Sequence, residues 1–207
     1  MRGKFITFEG PEKSGKSTQA RLLSRYLKKK GFKVLFIREP GFTVIGEKIR
    51  KLLLDKKNSR MSVMTEMLLY MAARAQLIQE VIRPALKKGL VVLCDRFQDS
   101  TLAYQGFGCG LDKDVIKTIG SFVTREIRPD LTLLLDFWQS RENLKNQKAL
   151  DRIEMRPDSF HQRVMKGYFV LAKNEPRRIK IIKVQQNRDQ TQLLIREIVL
   201  PCLLKKS

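Results

Sequence analysis

The chain is short of several residue types, and each shortage excludes a class of chemistry. A single histidine, His161, occurs among the 207 residues, which argues against a histidine-based metal centre or a Ser-His-Asp triad. The cysteines Cys94, Cys109 and Cys202 are far apart and odd in number, so they form neither a metal spacing nor a disulfide framework. No apolar run is long enough to cross a bilayer, and no signal-peptide pattern is present. We therefore expect a cytoplasmic protein with reduced thiols and no membrane contact.

Acidic residues are also scarce, because 21 Asp and Glu oppose 42 Lys and Arg, a net charge of +21. Such an excess can indicate nucleic-acid binding. However, the basic residues are scattered in small groups such as Lys56-Lys57 and Lys87-Lys88, which is typical of a solvated surface. We predict no nucleic-acid partner, and we expect the positive field to speed the capture of anionic ligands.

Five short apolar runs alternate with helix-length segments along the chain. The runs are Phe5–Phe8, Val34–Ile37, Val91–Cys94, Leu131–Leu135 and Ile179–Val184. The segments predicted as helices are 15–30, 44–55, 63–88, 113–125, 157–172 and 189–204. Nearly continuous apolar strands are typical of a parallel sheet that is buried on both faces. The alternation predicts one α/β domain over residues 1–207, a three-layer sandwich whose five-stranded parallel sheet is flanked by helices.

The strongest motif is a phosphate-binding loop. Residues Gly10–Ser17 fit the pattern G-x-x-x-x-G-K-[ST], and the loop lies between a predicted strand and a predicted helix, as the motif requires. Glycines let backbone N–H groups surround phosphate oxygens, and the helix directs its positive end at the anion. Lys16 supplies a cation for the β- and γ-phosphates, and Ser17 supplies a hydroxyl for Mg²⁺. The context disfavours a chance glycine-rich turn, so we predict binding of a nucleoside triphosphate.

Three further groups of residues suggest where a phosphoryl acceptor binds. The turn Arg38–Gly41 follows the second strand, and Asp95 and Arg96 end the third, so both face the edge where α/β proteins bind ligands. Tyr70 and Arg74 are four residues apart and share a helix face, which suits a planar base that carries a phosphate. Each group can also be explained without a ligand. The three explanations are an ordinary turn, an ion pair at a strand end, and a half-buried tyrosine beside a surface arginine.

The motifs together resemble those of thymidylate kinases and occur in the family's order from residue 5 to about residue 172. They are Phe8-Glu9-Gly10, Gly15-Lys16-Ser17-Thr18-Gln19, Arg38-Glu39-Pro40-Gly41, Ala73-Arg74, the run from Asp95 to Gly106, Pro129-Asp130-Leu131 and Leu150-Asp151-Arg152-Ile153-Glu154. The phosphate loop is shared with many enzymes, whereas the last of these motifs and the run from Asp95 are more specific. The resemblance implies a P-loop kinase fold. It also implies transfer of the γ-phosphoryl group of ATP to dTMP, which gives dTDP and ADP in dTTP biosynthesis, with Mg²⁺ as cofactor and a homodimeric assembly.

The resemblance also implies a role for individual residues. ATP would be held by Gly10, Pro11, Glu12, Lys13, Ser14, Gly15, Lys16, Ser17 and Thr18, and Mg²⁺ by Ser17 with Asp95 acting through water. The catalytic set would be Lys16, Arg96, Glu12, Lys13 and Arg152. The dTMP site would comprise Glu12 near the sugar 3′-hydroxyl, Tyr70 on thymine, Arg74 at the base and the region between the phosphates, and Arg96 on the monophosphate. Thr101 and Gln105 would line the base pocket, Tyr104 would lie under the sugar, Tyr168 would close over the nucleotide, and Ser100 would also belong to the site.

The polar segment at about 139–156 is predicted to be a mobile lid, whose candidate cations are Arg141, Lys145, Lys148 and Arg152. Spacing alone does not rank these cations.

Phe42 and Lys13 are among the positions that depart from the family pattern. Phe42 stands where the family usually has a second glycine, so its ring either narrows the site or turns outward. Lys13 adds a cation to the phosphate loop although the lid is also basic, which leaves the source of the transition-state cation open. For His161, we expect a surface or helix-cap role.

The sequence leaves two other functions possible. The first is a kinase for another nucleoside or nucleoside monophosphate on the same scaffold. The second, from a different class, is an ATP-dependent nucleic-acid-binding protein, which requires ATPase activity that DNA or RNA stimulates.

Overall fold

The fold is built on a five-stranded parallel sheet, as predicted. A computed structural model describes residues 3–137 and 150–204. The strand order is β2-β3-β1-β4-β5, and every neighbouring pair is parallel. The strands are β1 Phe5–Glu9, β2 Val34–Arg38, β3 Val91–Asp95, β4 Leu131–Asp136 and β5 Ile179–Lys183. Each strand begins at the predicted residue, and the α/β fold class is confirmed.

Both faces of the inner strands are covered, which explains why β1, β3 and β4 are buried along almost their whole length and are mostly apolar. Along β1, Ile6 and Phe8 pack with the helices at residues 16–29 and 188–204, whereas Phe5 packs on the opposite face. Along β3, Leu93 and Cys94 are divided between the two faces in the same way. Successive side chains of a strand point to opposite faces, so a sheet between two helical layers needs apolar residues at every position.

Apart from the helix at residues 98–101, the helices occupy the predicted segments with small changes at their ends. They are α1 Lys16–Lys29, α2 Val44–Leu54, α3 Val63–Leu77, α4 Arg83–Lys87, α5 Gln98–Thr101, α6 Lys113–Thr124, α7 Asp158–Asn174 and α8 Arg188–Leu204. A 3₁₀ turn covers Lys56–Asn58, and π-helical segments cover Ile78–Ile82 and Leu102–Gly108. Within the described ranges, no helix combines the length and apolarity needed to span a bilayer.

Helix boundaries follow from local sequence signals. The side chains of Thr43 and Ser62 accept hydrogen bonds from the first turns of α2 and α3, as N-cap residues do. Gly31 and Gly89 lie just after helices and adopt φ values of 85° and 75°. Such left-handed conformations end helices and favour glycine.

The helical stretch at residues 98–108 is the element that sequence patterning did not predict. Its sequence contains two glycines and no clear apolar periodicity, and contacts with distant parts of the chain hold it. Asp99 forms a two-bonded ion pair with Arg178, at 2.7 and 2.8 Å. A Cβ added at Gly108 would lie 2.5 Å from Cε2 of Phe160, so this glycine allows α7 to approach closely. Tertiary packing therefore overrides weak local propensity here.

Part of the predicted lid lies outside the described residues. Residues 139–149, with the candidate cations Arg141, Lys145 and Lys148, are in that part of the chain. Residues 150–156 are described, and the Asp151 carboxylate accepts hydrogen bonds from the backbone N–H groups of Ile153 and Glu154 at 2.8 and 2.9 Å. The aspartate therefore closes a turn just before α7.

We predict that Gly167→Ala lowers the free energy of unfolding by about 1–3 kcal/mol, the usual cost of overpacking. The added methyl group would lie 2.6–2.7 Å from ring and Cβ atoms of Phe107. On an exposed helix surface, the same substitution would raise the free energy of unfolding by about 0.5–1 kcal/mol. The sign of the change in the free energy of unfolding therefore distinguishes a packed glycine from an exposed one. Urea unfolding measures it. Lys166→Ala, at an exposed neighbouring position, is the control and should change stability by less than about 0.5 kcal/mol. A more stable Gly167→Ala protein would contradict the close packing.

Candidate active site

A cleft of about 280 Å³ opens at the carboxyl edge of the sheet. Its lining includes Lys16 from the phosphate loop, Glu39 from the turn after β2, Asp95 from the end of β3 and Arg74 from α3. Because β1, β2 and β3 are adjacent and parallel, their carboxyl ends meet at one edge, where α/β proteins bind ligands. The cleft therefore brings together residues that are far apart in the sequence.

The phosphate loop holds its lysine inside itself. Lys16 Nζ donates to the Pro11 carbonyl and to Ser14 Oγ, the latter at 3.2 Å. Burial, with a smaller contribution from the charge of Arg96, lowers the pKa of Lys16 to about 7. The exposed Lys13 also lines the cleft and has a φ of 60°. Two cations of the loop therefore reach the cleft, one buried and one at its mouth.

Ser17 and Asp95 form the pair of oxygen donors that the sequence suggested for a metal. Ser17 Oγ donates a hydrogen bond to Asp95 Oδ2. Among the described residues, no cluster of three or more His, Cys, Asp and Glu side chains could hold a metal ion on its own. Hard oxygen ligands of this kind suit Mg²⁺, which protein sites commonly hold with one or two side chains together with substrate phosphates and water. The donor set therefore fits a magnesium nucleotide.

Arg96 lies at the centre of the cleft. Its Nη1 donates to the Gly10 carbonyl at 3.0 Å and to Tyr168 Oη at 3.2 Å, and its Nη2 donates to Tyr104 Oη at 3.1 Å. The guanidinium carbon also lies 4.9 Å from the centre of the Tyr104 ring. Residue 96 has a φ of 70°, a conformation that costs energy for a non-glycine residue and that often marks a functional site. The tight turn after β3 thus directs a guanidinium back toward the phosphate loop.

Glu12 shares its two carboxylate oxygens between different partners. Oε1 accepts from Tyr104 Oη at 2.5 Å and lies 3.4 Å from Arg96 Nη2, while Oε2 lies 3.6 Å from His161 Nδ1. Burial alone would raise the pKa of Glu12, but the contacts with His161, Arg96 and Lys16 outweigh it and hold the pKa well below its ordinary value. Glu12 is therefore a carboxylate at neutral pH.

Arg74 is buried in the wall of the cleft. Its guanidinium donates to Gln98 Oε1 and, at 2.9 Å, to Thr101 Oγ1, and it forms an ion pair with Glu39. Its guanidinium carbon lies 5.1 Å from the centre of the Phe97 ring. Burial raises the pKa of Glu39, and the charge of Arg74 opposes that shift. The guanidinium is therefore fixed in orientation before any ligand arrives.

Glu9, at the end of β1, was not among the predicted site residues. It is fully buried and accepts from the Phe97 N–H at 2.7 Å, Ser100 Oγ at 2.5 Å and Tyr168 Oη at 2.9 Å. Burial, and then the charge of Asp99, raise the pKa of Glu9 to about 7. It positions Ser100 and Tyr168, both of which also contact Arg96.

The far end of the cleft is lined by Tyr70 and Gln105. Gln105 Nε2 donates to Glu66 Oε1 at 2.8 Å. Arg152, suggested as a catalytic cation, lies behind this part of the site. Its Nη2 donates to Glu66 Oε2 at 2.5 Å, and its Nε donates to the Leu53 carbonyl at 2.8 Å. Its guanidinium is thus directed at α3 and α2 instead of the phosphate loop.

The structure brings together most of the predicted site residues. The cleft is lined by Glu12, Lys13, Lys16, Ser17, Tyr70, Arg74, Asp95, Arg96, Ser100, Thr101, Tyr104 and Gln105. Of the other predicted residues, Gly10 and Tyr168 contact Arg96, and Pro11 and Ser14 contact Lys16. Gly15 adopts the left-handed conformation that starts α1, and Thr18 lies exposed in the first turn of that helix.

Sequence reasoning missed Arg50 and misplaced His161. Arg50 lines the cleft and donates to the Pro40 carbonyl at 3.0 Å. In the sequence it is one of many basic residues, and nothing distinguishes it from a surface arginine. His161 was expected at the surface or at a helix cap, but it is only 7% exposed and faces Glu12. That expectation was wrong, because α7 turns its His161 and Tyr168 side toward the cleft.

Phe42 turns outward and does not narrow the cleft. Its side chain is 45% exposed, and it is absent from the described lining. The backbone still adopts the conformation expected of a glycine, with a φ of 71°, and the Phe42 N–H donates to Glu47 Oε1 at 2.7 Å. The family's usual loop geometry is therefore possible without the second glycine, because this hydrogen bond offsets part of the backbone strain.

Comparison with known proteins agrees with the geometry. A sequence model of the thymidylate kinase family matches residues 8–195. A thymidylate kinase from Exiguobacterium sibiricum is 44% identical over 100% of this chain and 98% of its own, and one from Halothermothrix orenii is 47% identical over 99% and 100%. The crystal structure of thymidylate kinase from Ehrlichia chaffeensis has a TM-score of 0.80 at 32% identity and covers 97% of this chain and 99% of its own. The chain therefore belongs to the thymidylate kinase family.

Proposed function

We propose that this enzyme transfers the γ-phosphoryl group of ATP to dTMP in the cytoplasm and releases ADP and dTDP. The observation that carries the proposal is one cleft whose lining combines Lys16 of the phosphate loop with Arg96, Arg74 and the aromatic side chain of Tyr70. A phosphoryl donor and a phosphorylated acceptor each need a cation, and an aromatic side chain suits a planar base. We treat residues 1–207 as one P-loop kinase domain.

The donor side is formed by the phosphate loop and α1. The backbone N–H groups of residues 10–18 other than Pro11 would surround the phosphates of ATP, and the N-terminal end of α1 would favour their charge. Ser17 and Asp95 would hold Mg²⁺, which when bound neutralises charge on the β- and γ-phosphates. Lys16, now held by Pro11 and Ser14, would exchange these partners for phosphate oxygens.

The acceptor side is formed by residues that already contact one another. Arg96 would bind the dTMP phosphate, and Tyr70 would stack on thymine. Tyr104 and Glu12, joined by a hydrogen bond of 2.5 Å, would lie under the sugar. A hydroxyl at the 2′ position would meet the Tyr104 ring, and the 3′-hydroxyl would donate to the Glu12 carboxylate. This arrangement favours a deoxyribose ring.

The reaction needs alignment more than proton transfer. An oxygen of the dTMP phosphate forms a bond to the γ-phosphorus while the bond to the oxygen bridging the β-phosphate breaks, and that electron pair leaves on ADP. The attacking oxygen is already anionic, so catalysis consists of positioning and charge neutralisation. Lys16 and Arg96 would supply the charges, with Lys13 at the cleft mouth. Arg152 would act as a positioning residue through Glu66.

We also propose that α3 and α6 form the interface of a homodimer. The two helices pack side by side, and both expose large apolar side chains. Leu68 on α3 is 46% exposed, while Val115 and Phe122 on α6 are 41% and 85% exposed. Exposed apolar groups on adjoining elements are typical of an interaction surface, and a second copy of the chain would cover them.

We predict activity with dTMP, weaker activity with dUMP, and little with dCMP, dGMP or thymidine, in an assay of ADP release from Mg·ATP. Arg96→Ala should lower kcat/KM for dTMP by about two to three orders of magnitude, as loss of a preorganised charge does. Arg25→Ala, an exposed arginine on α1, is the control and should leave kcat/KM unchanged. Activity on nucleosides, or ADP release that rises only with added DNA, would contradict the proposal in favour of the rival functions.

We predict that nucleotide binding takes up close to one proton at pH 8. Lys16, with a pKa of about 7, is mostly neutral there, and phosphate oxygens would raise its pKa on binding. The affinity for ADP should therefore fall as the pH rises above 7. Calorimetry in two buffers of different ionisation enthalpy measures the uptake. Lys16→Arg, charged at every pH tested, should abolish it. Uptake that persists in Lys16→Arg would assign the proton to another group, such as Glu9.

We predict that Phe122→Asp dissociates the dimer, because a charge in a buried apolar contact is costly. Sedimentation velocity should give about twice the mass of the 24.1 kDa chain for the unaltered protein and the monomer mass for the variant. Lys117→Asp, at an exposed polar position of the same helix, is the control. A monomeric unaltered protein would contradict the proposed interface.

A further inference from the structure

We propose that Glu66 determines which pyrimidine the cleft accepts, because it fixes the orientation of the Gln105 side-chain amide. The inference rests on the proposed function and assigns a specificity-determining role to a residue that does not itself line the cleft. Glu66 lies on α3 and is fully buried.

The contacts of Glu66 leave its carboxylate no freedom. Oε1 accepts from Gln105 Nε2 at 2.8 Å, and Oε2 accepts from Arg152 Nη2 at 2.5 Å and from Arg156 Nη2 at 2.7 Å. Arg152 is itself anchored by its Nε hydrogen bond to the Leu53 carbonyl. Two guanidinium groups that donate to one buried carboxylate hold it in place.

An ionised carboxylate accepts hydrogen bonds and cannot donate them. Of the two ends of the Gln105 amide, only the nitrogen can therefore face Glu66. A flipped amide would place two oxygens against each other in a buried site, which costs far more than an ordinary hydrogen bond contributes. The contact with Glu66 therefore determines the orientation of the Gln105 amide.

The consequence is that Gln105 presents its carbonyl oxygen to the cleft, which it lines together with Arg74. Arg74 can only donate, and Thr101, one helical turn before Gln105, accepts one of its hydrogen bonds. The Nε–H of Arg74 has no hydrogen-bond partner among the described residues, so the base end of the cleft would offer a donor beside an acceptor. Thymine and uracil carry the matching pair, a carbonyl at C4 and an N–H at N3.

Cytosine carries the opposite pair. Its C4 amine donates and its N3 accepts, so it would oppose donor to donor at Arg74 and acceptor to acceptor at Gln105. Unmatched polar groups in a buried site give strong rejection, much stronger than a missing methyl group gives. If the Gln105 amide could turn, its nitrogen would donate to cytosine N3 and half of this rejection would disappear.

The test is Glu66→Gln. Arg152 and Arg156 can only donate, so they would hold the new amide oxygen in the place of Oε2. The new NH2 group would then face Gln105 and favour the flipped orientation of its amide. We expect the ratio of kcat/KM for dTMP to that for dCMP to fall at least tenfold. The ratio for dTMP to dUMP should not change, because both bases present the same C4 carbonyl and N3 N–H.

Two controls separate this role from a structural one. Glu66→Asp keeps a group that only accepts, and it should keep the dTMP-to-dCMP ratio even if the rate falls. Arg156→Gln removes one partner of Glu66 while the carboxylate remains, and it should lower stability without changing the ratio. A Glu66→Gln enzyme with the unaltered ratio would overturn the inference, as would equal losses of activity with dTMP and dCMP.

If Glu66→Gln fails to fold, Gln105→Leu provides a second test of the inference. It removes the carbonyl oxygen altogether, so the discrimination against dCMP should collapse, and an unchanged ratio would overturn the inference. Failure of the proposed function is recognised separately, because the unaltered enzyme would then show no activity with dTMP.

Discussion

The rest of the site depends on the buried carboxylate of Glu9. It ends the strand that leads into the phosphate loop, and it accepts hydrogen bonds from the Phe97 backbone and from Ser100 and Tyr168. These partners belong to the turn after β3, the helical stretch 98–108 and α7, so one group joins four parts of the chain. Burying a carboxylate is costly unless it is hydrogen-bonded or paired. Three donors and the nearby charge of Arg96 offset part of that cost, although burial and the charge of Asp99 still raise the pKa of Glu9 to about 7.

Oxygen atoms of the protein hold the cations of the cleft. Phosphate oxygens of bound nucleotides would replace these partners. Lys16 donates to the Pro11 carbonyl, Arg96 to the Gly10 carbonyl, and Arg74 is paired with Glu39. Such contacts fix the orientation of each cation in advance and limit the cost of burying it. Preorganised charge of this kind is effective in phosphoryl transfer, because little reorganisation is needed as the reaction proceeds. The net charge of +21 adds long-range attraction for anionic nucleotides.

Sequence patterning predicted the sheet and most of the cleft, because both depend on strong local signals. Strands buried on two faces are continuously apolar, and the phosphate loop and the residues after β3 follow strand ends. The stretch 98–108 was missed because distant contacts such as Asp99 with Arg178 hold it. His161 was misplaced because helical spacing shows that it shares a face with Tyr168 but not which neighbour that face meets. Glu66 gave no signal, since a lone acidic residue on a helix usually lies at the surface.

The position of Arg152 shows why a cation near a nucleotide site need not touch the nucleotide. Its motif suggested a catalytic cation, yet its guanidinium is held by Glu66 and the Leu53 carbonyl. Glu66 contacts both Arg152 and Gln105. The ion pair between Arg152 and Glu66 would therefore affect the choice of base, and it would not neutralise charge in the transition state. The Glu66 carboxylate accepts hydrogen bonds both from the turn before α7 and from Gln105. All of these bonds would form only when both parts of the chain are correctly placed. Substrate selection would then depend on the same buried pairing that fixes Arg152 and Arg156 to α3.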